Sequence, residues 1–416
     1  MSVPISPLPE IEASQFRKIR QRTIFECCKW DPQVEDVSVL CPFPLLIDKT
    51  TWGFLSSTAE QLATETVLAE NELIGRPDLH KHLGLPKPIR KLLAQTSALQ
   101  TPDTQRLLRF DFHFTTTGWK ISEVNSDVPG GFIEASGFTA LMAEQVGHVD
   151  FSDPVEQLIQ SILQQTKPHS TVALVHATAF VDDRQVMLFL ARRMEQAGLR
   201  PILVGPDHVR WTEGQASIKS EWFTGPVDFV FRFYPGEWLP NLPGKTEWSH
   251  FFAGSRTPLC NPATALLTQS KRFPLVWDQL QTPLRTWRKF LPLTSAPAKQ
   301  HLAEKEKWVF KPALGRVGES IGLTGATPEK EWKGIEQSLH KEPEEWVAQE
   351  RFEVISVQLG DTAYYPCLGV YTIAGRAAGI YGRLSSQRLI DHRAQDVAVL
   401  IQHDPKNLAQ PLTLAA

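Results

Sequence analysis

Arg109, Asp111, Glu123 and Asn125 sit on two short alternating runs, Arg109-Phe-Asp-Phe-His-Phe114 and Lys120-Ile-Ser-Glu-Val-Asn125, joined through Thr115-Thr-Thr-Gly118. A period of two on either side of a turn reads as a β-hairpin. With the loop centred on Thr117, Asp111 falls opposite Glu123 and Arg109 opposite Asn125, and all four side chains leave from one face. Phe110, Phe112, Phe114 and Val124 take the other face. Facing carboxylates repel and need a compensating cation unless water screens both. Oxygen donors without cysteine suit a hard ion. Magnesium keeps several waters and shares phosphate oxygens of a nucleotide, so Asp111, Glu123 and Asn125 would be ligands enough. The same spacing also fits an amphipathic hairpin whose charged face is solvated.

The elements around the hairpin must position it. Helical patterns at Ser56–Leu73 and Pro86–Leu99 among Pro-punctuated loops predict a helical N-terminal flank over residues 1–105. After the hairpin, Val128-Pro-Gly-Gly131 is a turn leading into a helix over Phe132–Val146. Its glycines would let backbone N–H groups approach an anion, or simply connect strand to helix. Thr171-Val-Ala-Leu-Val, a helix from about Arg184 to Gly198 and Pro201-Ile-Leu-Val204 form a βαβ unit of a parallel sheet. A further strand, Phe229–Phe233, carries Arg232 and runs into Glu237. Beyond the carboxyl end of a parallel strand these two are candidate substrate contacts or ordinary surface charges. Residues 106–260 thus read as the hairpin with a βαβ domain.

Residues 261–403 read as a second region. Asn261-Pro262 opens a helical stretch bearing Lys271, and Trp308-Val-Phe-Lys311 is a strand that ends on a lysine before the glycine loop containing Gly315 and Gly318. A lysine there can reach phosphates under a flexible backbone flap. Trp346–Phe352 is a strand whose Gln349, Glu350 and Phe352 could hold an adenine by edge and face. Cys367–Thr372 and Arg376–Gly382 form a hairpin about Ala374-Gly375 that delivers Arg383, and residues 404–416 read as a frayed tail.

Composition sets outer limits. The 416 residues suffice for two or three domains, and 42% apolar with 21% charged residues is ordinary for a water-soluble globular chain. A formal charge of −3 gives no reason to expect nucleic acid or an anionic membrane as partner. With no signal-peptide pattern and no apolar run approaching the roughly 18 residues of a spanning helix, a cytoplasmic location is expected. Five cysteines without C-x-x-C spacing argue against a disulfide framework or a zinc site.

Taken in order, Arg109-Phe-Asp-Phe-His-Phe, Glu123-Val-Asn-Ser-Asp, Gln269-Ser-Lys271, Phe310-Lys-Pro-Ala-Leu-Gly-Arg316 and Gln349-Glu-Arg-Phe352 resemble the ATP-grasp ligases of the glutathionylspermidine synthase family, in its synthetase-only form without the fused amidase domain. The resemblance runs from about Arg109 to Ile390. It implies an α/β, ATP-grasp-like fold with a helical flank, a parallel-sheet pre-ATP-grasp domain and an antiparallel ATP-binding subdomain. It implies Asp111, Glu123 and Asn125 on Mg2+, and Arg109 and Arg383 as catalytic arginines beside the transferred phosphate. Lys271 and Lys311 would lie on ATP phosphates with Gly318 in the flap; Gln349, Glu350, Phe352, Leu389 and Ile390 would sit at the base.

The activity implied is ATP- and magnesium-dependent joining of a carboxylate to an amine through an acyl phosphate. One departure concerns the acid. Where spermidine-specific members carry serines, this chain has Val128-Pro-Gly-Gly131 and offers only backbone groups. The expectation is therefore a peptide or amino-acid carboxylate with a small amine or polyamine. Other readings are a catalytically silent ATP-binding partner protein and a kinase-like enzyme that stops at a phosphoryl product.

Overall fold

The hydrophobic alternation of the chain becomes four β-sheets of four or more strands in the computed structural model, which describes residues 3–30, 33–34, 37–95, 105–315 and 320–403. Near the N-terminus lie α1 (Ala13–Glu26) and α2 (Lys49–Ile74). Asp48 caps α2 by accepting the Thr51 N–H at 2.6 Å. Its Leu55, Ala59, Leu62, Ala63, Ala69 and Leu73 recur at helical spacing and are all buried.

The predicted hairpin is present as β1 (Leu107–Thr115) and β2 (Gly118–Asn125). Its register is subtler than expected. Thr116 and Thr117 form a two-residue loop, so the pairs nearest the turn are Thr115 with Gly118 and Phe112 with Ile121. A bulge at Ser122–Glu123 then sets two residues against Asp111, and the expected pairs Phe110 with Val124 and Arg109 with Asn125 are restored. Phe110, Phe112, Phe114 and Val124 are buried on the far face, in the same core cluster as Leu55, Leu62 and Trp287. Burying one such side chain stabilises by about 1.5–3 kcal/mol.

The βαβ unit follows as β3 (Thr171–His176), α3 (Val181–Gln196) and β4 (Arg200–Val204). With β5 (Phe229–Phe233) and β6 (Leu259–Cys260) they make a parallel sheet ordered β6-β5-β3-β4. The stretch from Asn261 to Leu280 is broken rather than one helix: two 3-10 turns flank the single α-turn Leu266–Gln269.

Next come β7 (Trp308–Pro312) and β8 (Trp346–Glu350), paired antiparallel and bordered by Gly322–Leu323 and Thr294–Ser295. Phe352 lies just past the end of β8. The last large sheet contains β9 (Thr362–Ile373), β10 (Arg376–Ser385) and β11 (Gln395–Val397). Its order, β11-β10-β9-β1-β2, is antiparallel throughout, and it crosses the boundary drawn at residue 260 by joining the hairpin to the C-terminal strands. The fold class is α/β, as expected from the sequence. No described helix is long and apolar enough to cross a membrane, and all five cysteines are buried and free.

Candidate active site

The large antiparallel sheet positions the chemistry. Its rows run across strands: Gly369 pairs with Asp111 on one side and Tyr381 on the other, while Arg383 pairs with Cys367 and Asp396. Alternate residues of β1, β9 and β10 therefore present one polar face, opposite the phenylalanine face. Above it lies a cavity of about 660 Å³, large enough for a nucleotide.

Arg109 and Asp111 form a two-pronged ion pair, Nε to Oδ1 at 2.8 Å and Nη2 to Oδ2 at 3.1 Å. The same guanidinium donates to the Gly130 carbonyl at 2.8 Å and lies 5.0 Å from the centre of the Tyr381 ring. Gly369 makes this arrangement possible, because a Cβ there would fall 2.7 Å from Arg109 Cδ and 2.9 Å from Asp111 Oδ1. Gly131 has φ of +91°, and a Cβ would meet the Tyr381 ring at 2.8 Å.

Glu123 pairs with Lys271 at 3.2 Å, and Lys271 also donates to the Gly315 carbonyl at 2.7 Å. Burial pushes the Glu123 carboxyl up, but Lys271 and Lys311 outweigh it and hold the group below its ordinary value. Lys311 donates to the Ser122 carbonyl at 3.1 Å and to Gln349 Oε1 at 2.8 Å. Burial pushes its ammonium down to about 8, against the pull of Glu123 and with the help of Lys271. Arg383 donates to the Asp391 carbonyl at 2.6 Å, while its buried Nε has no hydrogen-bond partner among the described residues. A buried donor without an acceptor is costly, so this atom suits an anion.

Two carboxylates and the Asn125 amide offer hard oxygen donors on the cavity wall. Here Asn125 Nδ2 donates to Asp111 Oδ2 at 3.1 Å, so ligation through Oδ1 requires the amide to turn. Among the described residues no group of three His, Cys, Asp or Glu side chains could hold a metal. The donor set fits magnesium shared with phosphates and not an all-protein cage.

The sequence-derived residues fall into three groups. Arg109, Asp111, Glu123, Asn125, Lys311, Gln349, Glu350, Phe352, Arg383, Leu389 and Ile390 line the cavity, and Lys271 joins it through Glu123. Gly318 and Arg316 lie outside the described residues, as does the tail over 404–416. Arg232 and Glu237 do not line the cavity. Arg232 is a fully enclosed scaffold group: Nη2 meets Asp127 Oδ1 at 2.5 Å, and Nε meets the Asn261 carbonyl at 2.8 Å. It comes off the carboxyl end of a parallel strand as expected, but the loop after β2 uses its charge before any ligand can.

Sequence reasoning passed over Tyr371, Tyr381, Gly369 and His113. The first three were accessible from the alternation that exposed Arg383, since odd-numbered residues of β9 and β10 share its face. His113 lines the cavity, contacts Ser122 Oγ at 3.1 Å and packs 5.3 Å from the Phe352 ring. Burial holds it neutral, pushing its imidazolium down to about 4.

Residues 48–402 match the family model described as glutathionylspermidine synthase preATP-grasp, and the chain belongs to that family. A Haemophilus influenzae protein provisionally named an acid–amine ligase is 23% identical over 284 residues, covering 65% of this chain and 68% of its own length. Two solved structures overlap with this chain at low similarity. One, from Methylobacillus flagellatus KT and provisionally described as a gamma-glutamylcysteine synthetase, superposes with a TM-score of 0.44 at 13% identity over 76% of this chain and 84% of its own. D-alanyl-alanine synthetase A from Vibrio cholerae gives 0.30 at 14% identity over 57% and 90%.

Proposed function

We propose that the chain is an ATP-dependent carboxylate–amine ligase that makes an amide through an acyl phosphate. The observation that carries this reading is the gathering of Arg109, Arg383, Lys271 and Lys311 around Asp111 and Glu123 at the wall of a nucleotide-sized cavity. Membership of the family and the name of the Haemophilus relative support it.

The chemistry asks little covalent work of the protein. A substrate carboxylate oxygen attacks the γ-phosphorus of ATP, ADP leaves, and an acyl phosphate remains. An amine nitrogen then attacks the acyl carbon, phosphate leaves, and the nitrogen loses a proton. Both steps depend on placing reactants in line and spreading positive charge over phosphate oxygens. Asp111, Glu123 and Asn125 would hold Mg2+, which would neutralise charge on the phosphates. Lys311, already fixed by Ser122 and Gln349, would hold ATP phosphates without reorganising. Arg109 and Arg383 would face the transferred phosphoryl group. Loss of one such preorganised donor costs on the order of 2.7–4 kcal/mol in the transition state.

At the base end, Phe352, Leu389, Ile390 and the strand bearing Gln349 and Glu350 line the same cavity and suit an adenine. The same cavity wall also bears Gly130, Gly131, Glu134, Asp182, Asp183 and Asp396. Asp182 and Asp183 on that wall suit an amine, and Gly130 and Gly131 lie where the acid would approach Arg109. The acid is a peptide or amino-acid carboxylate. The test is ATP-dependent phosphate release over a matrix of peptides and amines, with products weighed by mass spectrometry. Release that requires both an acid and an amine, with a product lighter by one water than their sum, is expected. ATP binding with no release under any pair would instead mark a silent nucleotide-binding protein, and release without an amine a kinase-like one.

A further inference from the structure

Lys29 lines the cavity and has no part in the nucleotide cradle. Lys29 follows α1, and the backbone N–H of Trp30 beside it donates to Gln185 Oε1 at 2.6 Å, pinning the segment against the start of α3. From there Lys29 Nζ reaches Glu134 Oε1 at 2.6 Å and lies 3.9 Å from Asp396 Oδ2. All three residues line the cavity, and both carboxylate side chains are only 9% exposed. Asp396 Oδ1 also accepts the Tyr381 hydroxyl at 2.7 Å, and Arg383 is its register partner on β10. Burial and the nearby Glu134 charge push the Asp396 carboxyl up, as expected of two acids held close together.

Lys29 and Arg383 balance Glu134 and Asp396 in charge, so a further ammonium brought to this wall would be in excess. From Cβ to Nζ the lysine side chain is itself a butylammonium. It is the kind of group that a pair of buried carboxylates beside a tyrosine hydroxyl would select from solution.

We propose that Lys29 determines amine specificity: its side chain permanently fills an alkylammonium subsite formed by Glu134 and Asp396, so the cavity disfavours amines that carry a second, distal cation. The biological meaning rests on the ligase reading, but the binding test does not. The probes are 1,4-diaminobutane and butylamine, titrated by calorimetry into the full chain near neutral pH. In the natural protein the diamine is expected to bind no tighter than the monoamine. A natural protein that prefers the diamine tenfold overturns the proposal, whether or not any variant folds. Lys29→Ala should bind 1,4-diaminobutane at least tenfold tighter than the natural protein does, and adding Glu134→Gln should remove that gain. Unchanged affinity in Lys29→Ala, or a gain that survives Glu134→Gln, overturns it. Since phosphate release is not the readout, a chain without ligase activity leaves these outcomes interpretable.

Discussion

Replacing Lys311 with Met tests the cradle most cleanly, because the long apolar side chain keeps the packing and removes only the charge. Lys311 is 6% exposed, and its ammonium is fixed between the Ser122 carbonyl and Gln349 Oε1. A hydrogen bond from such a group to a charged partner contributes about 1.5–3 kcal/mol. The Kd for ATP should therefore rise roughly ten- to 150-fold in Lys311→Met, read by calorimetry. The pH dependence gives a second signature. Burial puts the free-state ammonium at about 8, and phosphate binds the charged form. Below that value Lys311 is already protonated and affinity is level. Above it, binding must take up a proton, so Kd should climb by up to about tenfold per pH unit. Lys311→Met should lose that climb. Unchanged affinity with an unchanged pH profile would refute the placement of Lys311 on the phosphates.

Further substitutions probe separate parts of the account. Asp111→Asn keeps the shape but removes a ligand charge, and should lower magnesium-dependent ATP turnover by roughly a hundredfold or more, with the native circular dichroism retained; near-normal turnover would count against the metal assignment. Gly369→Ala drives a methyl toward Arg109 and Asp111, and should cost about 1–3 kcal/mol in urea denaturation and depress turnover together. Arg232→Met leaves the enclosed Asp127 without its ion-pair partner, and should cost about 3–5 kcal/mol of stability. A folded, fully stable Arg232→Met with only a raised KM would return Arg232 to the substrate.

The hairpin was legible because its period of two is written in Arg-Phe-Asp-Phe-His-Phe, and a buried phenylalanine face leaves no choice about which side is polar. What the pattern could not carry was the bulge at Ser122–Glu123, because one extra residue on β2 is compensated by a loop one residue shorter than assumed. Both errors cancel at Arg109 and Asn125, so the four site residues converge although the intermediate pairing differs. The parallel strands were likewise readable from their continuous apolar runs. Pairing of β1 with β9 was not, since nothing local in Gly369 or Asp111 announces a partner more than two hundred residues away. Arg232 shows the converse limit: strand direction put it near the carboxyl end of β5, but only the fold brings Asp127 and Asn261 to it. Lys29 had no local signal at all, because its partners Glu134 and Asp396 are remote in sequence.

The central claim is that phosphate passes from ATP to a carboxylate before an amine takes its place. The direct measurement is oxygen transfer: carboxylate-labelled peptides and amino acids, [18O] at both oxygens, incubated with Mg-ATP and an amine panel, with the released phosphate weighed by mass spectrometry. The account predicts one labelled oxygen in each phosphate and an amide that forms in step with it. Phosphate that carries no label while the amide forms, or release that ignores both acid and amine, would contradict it.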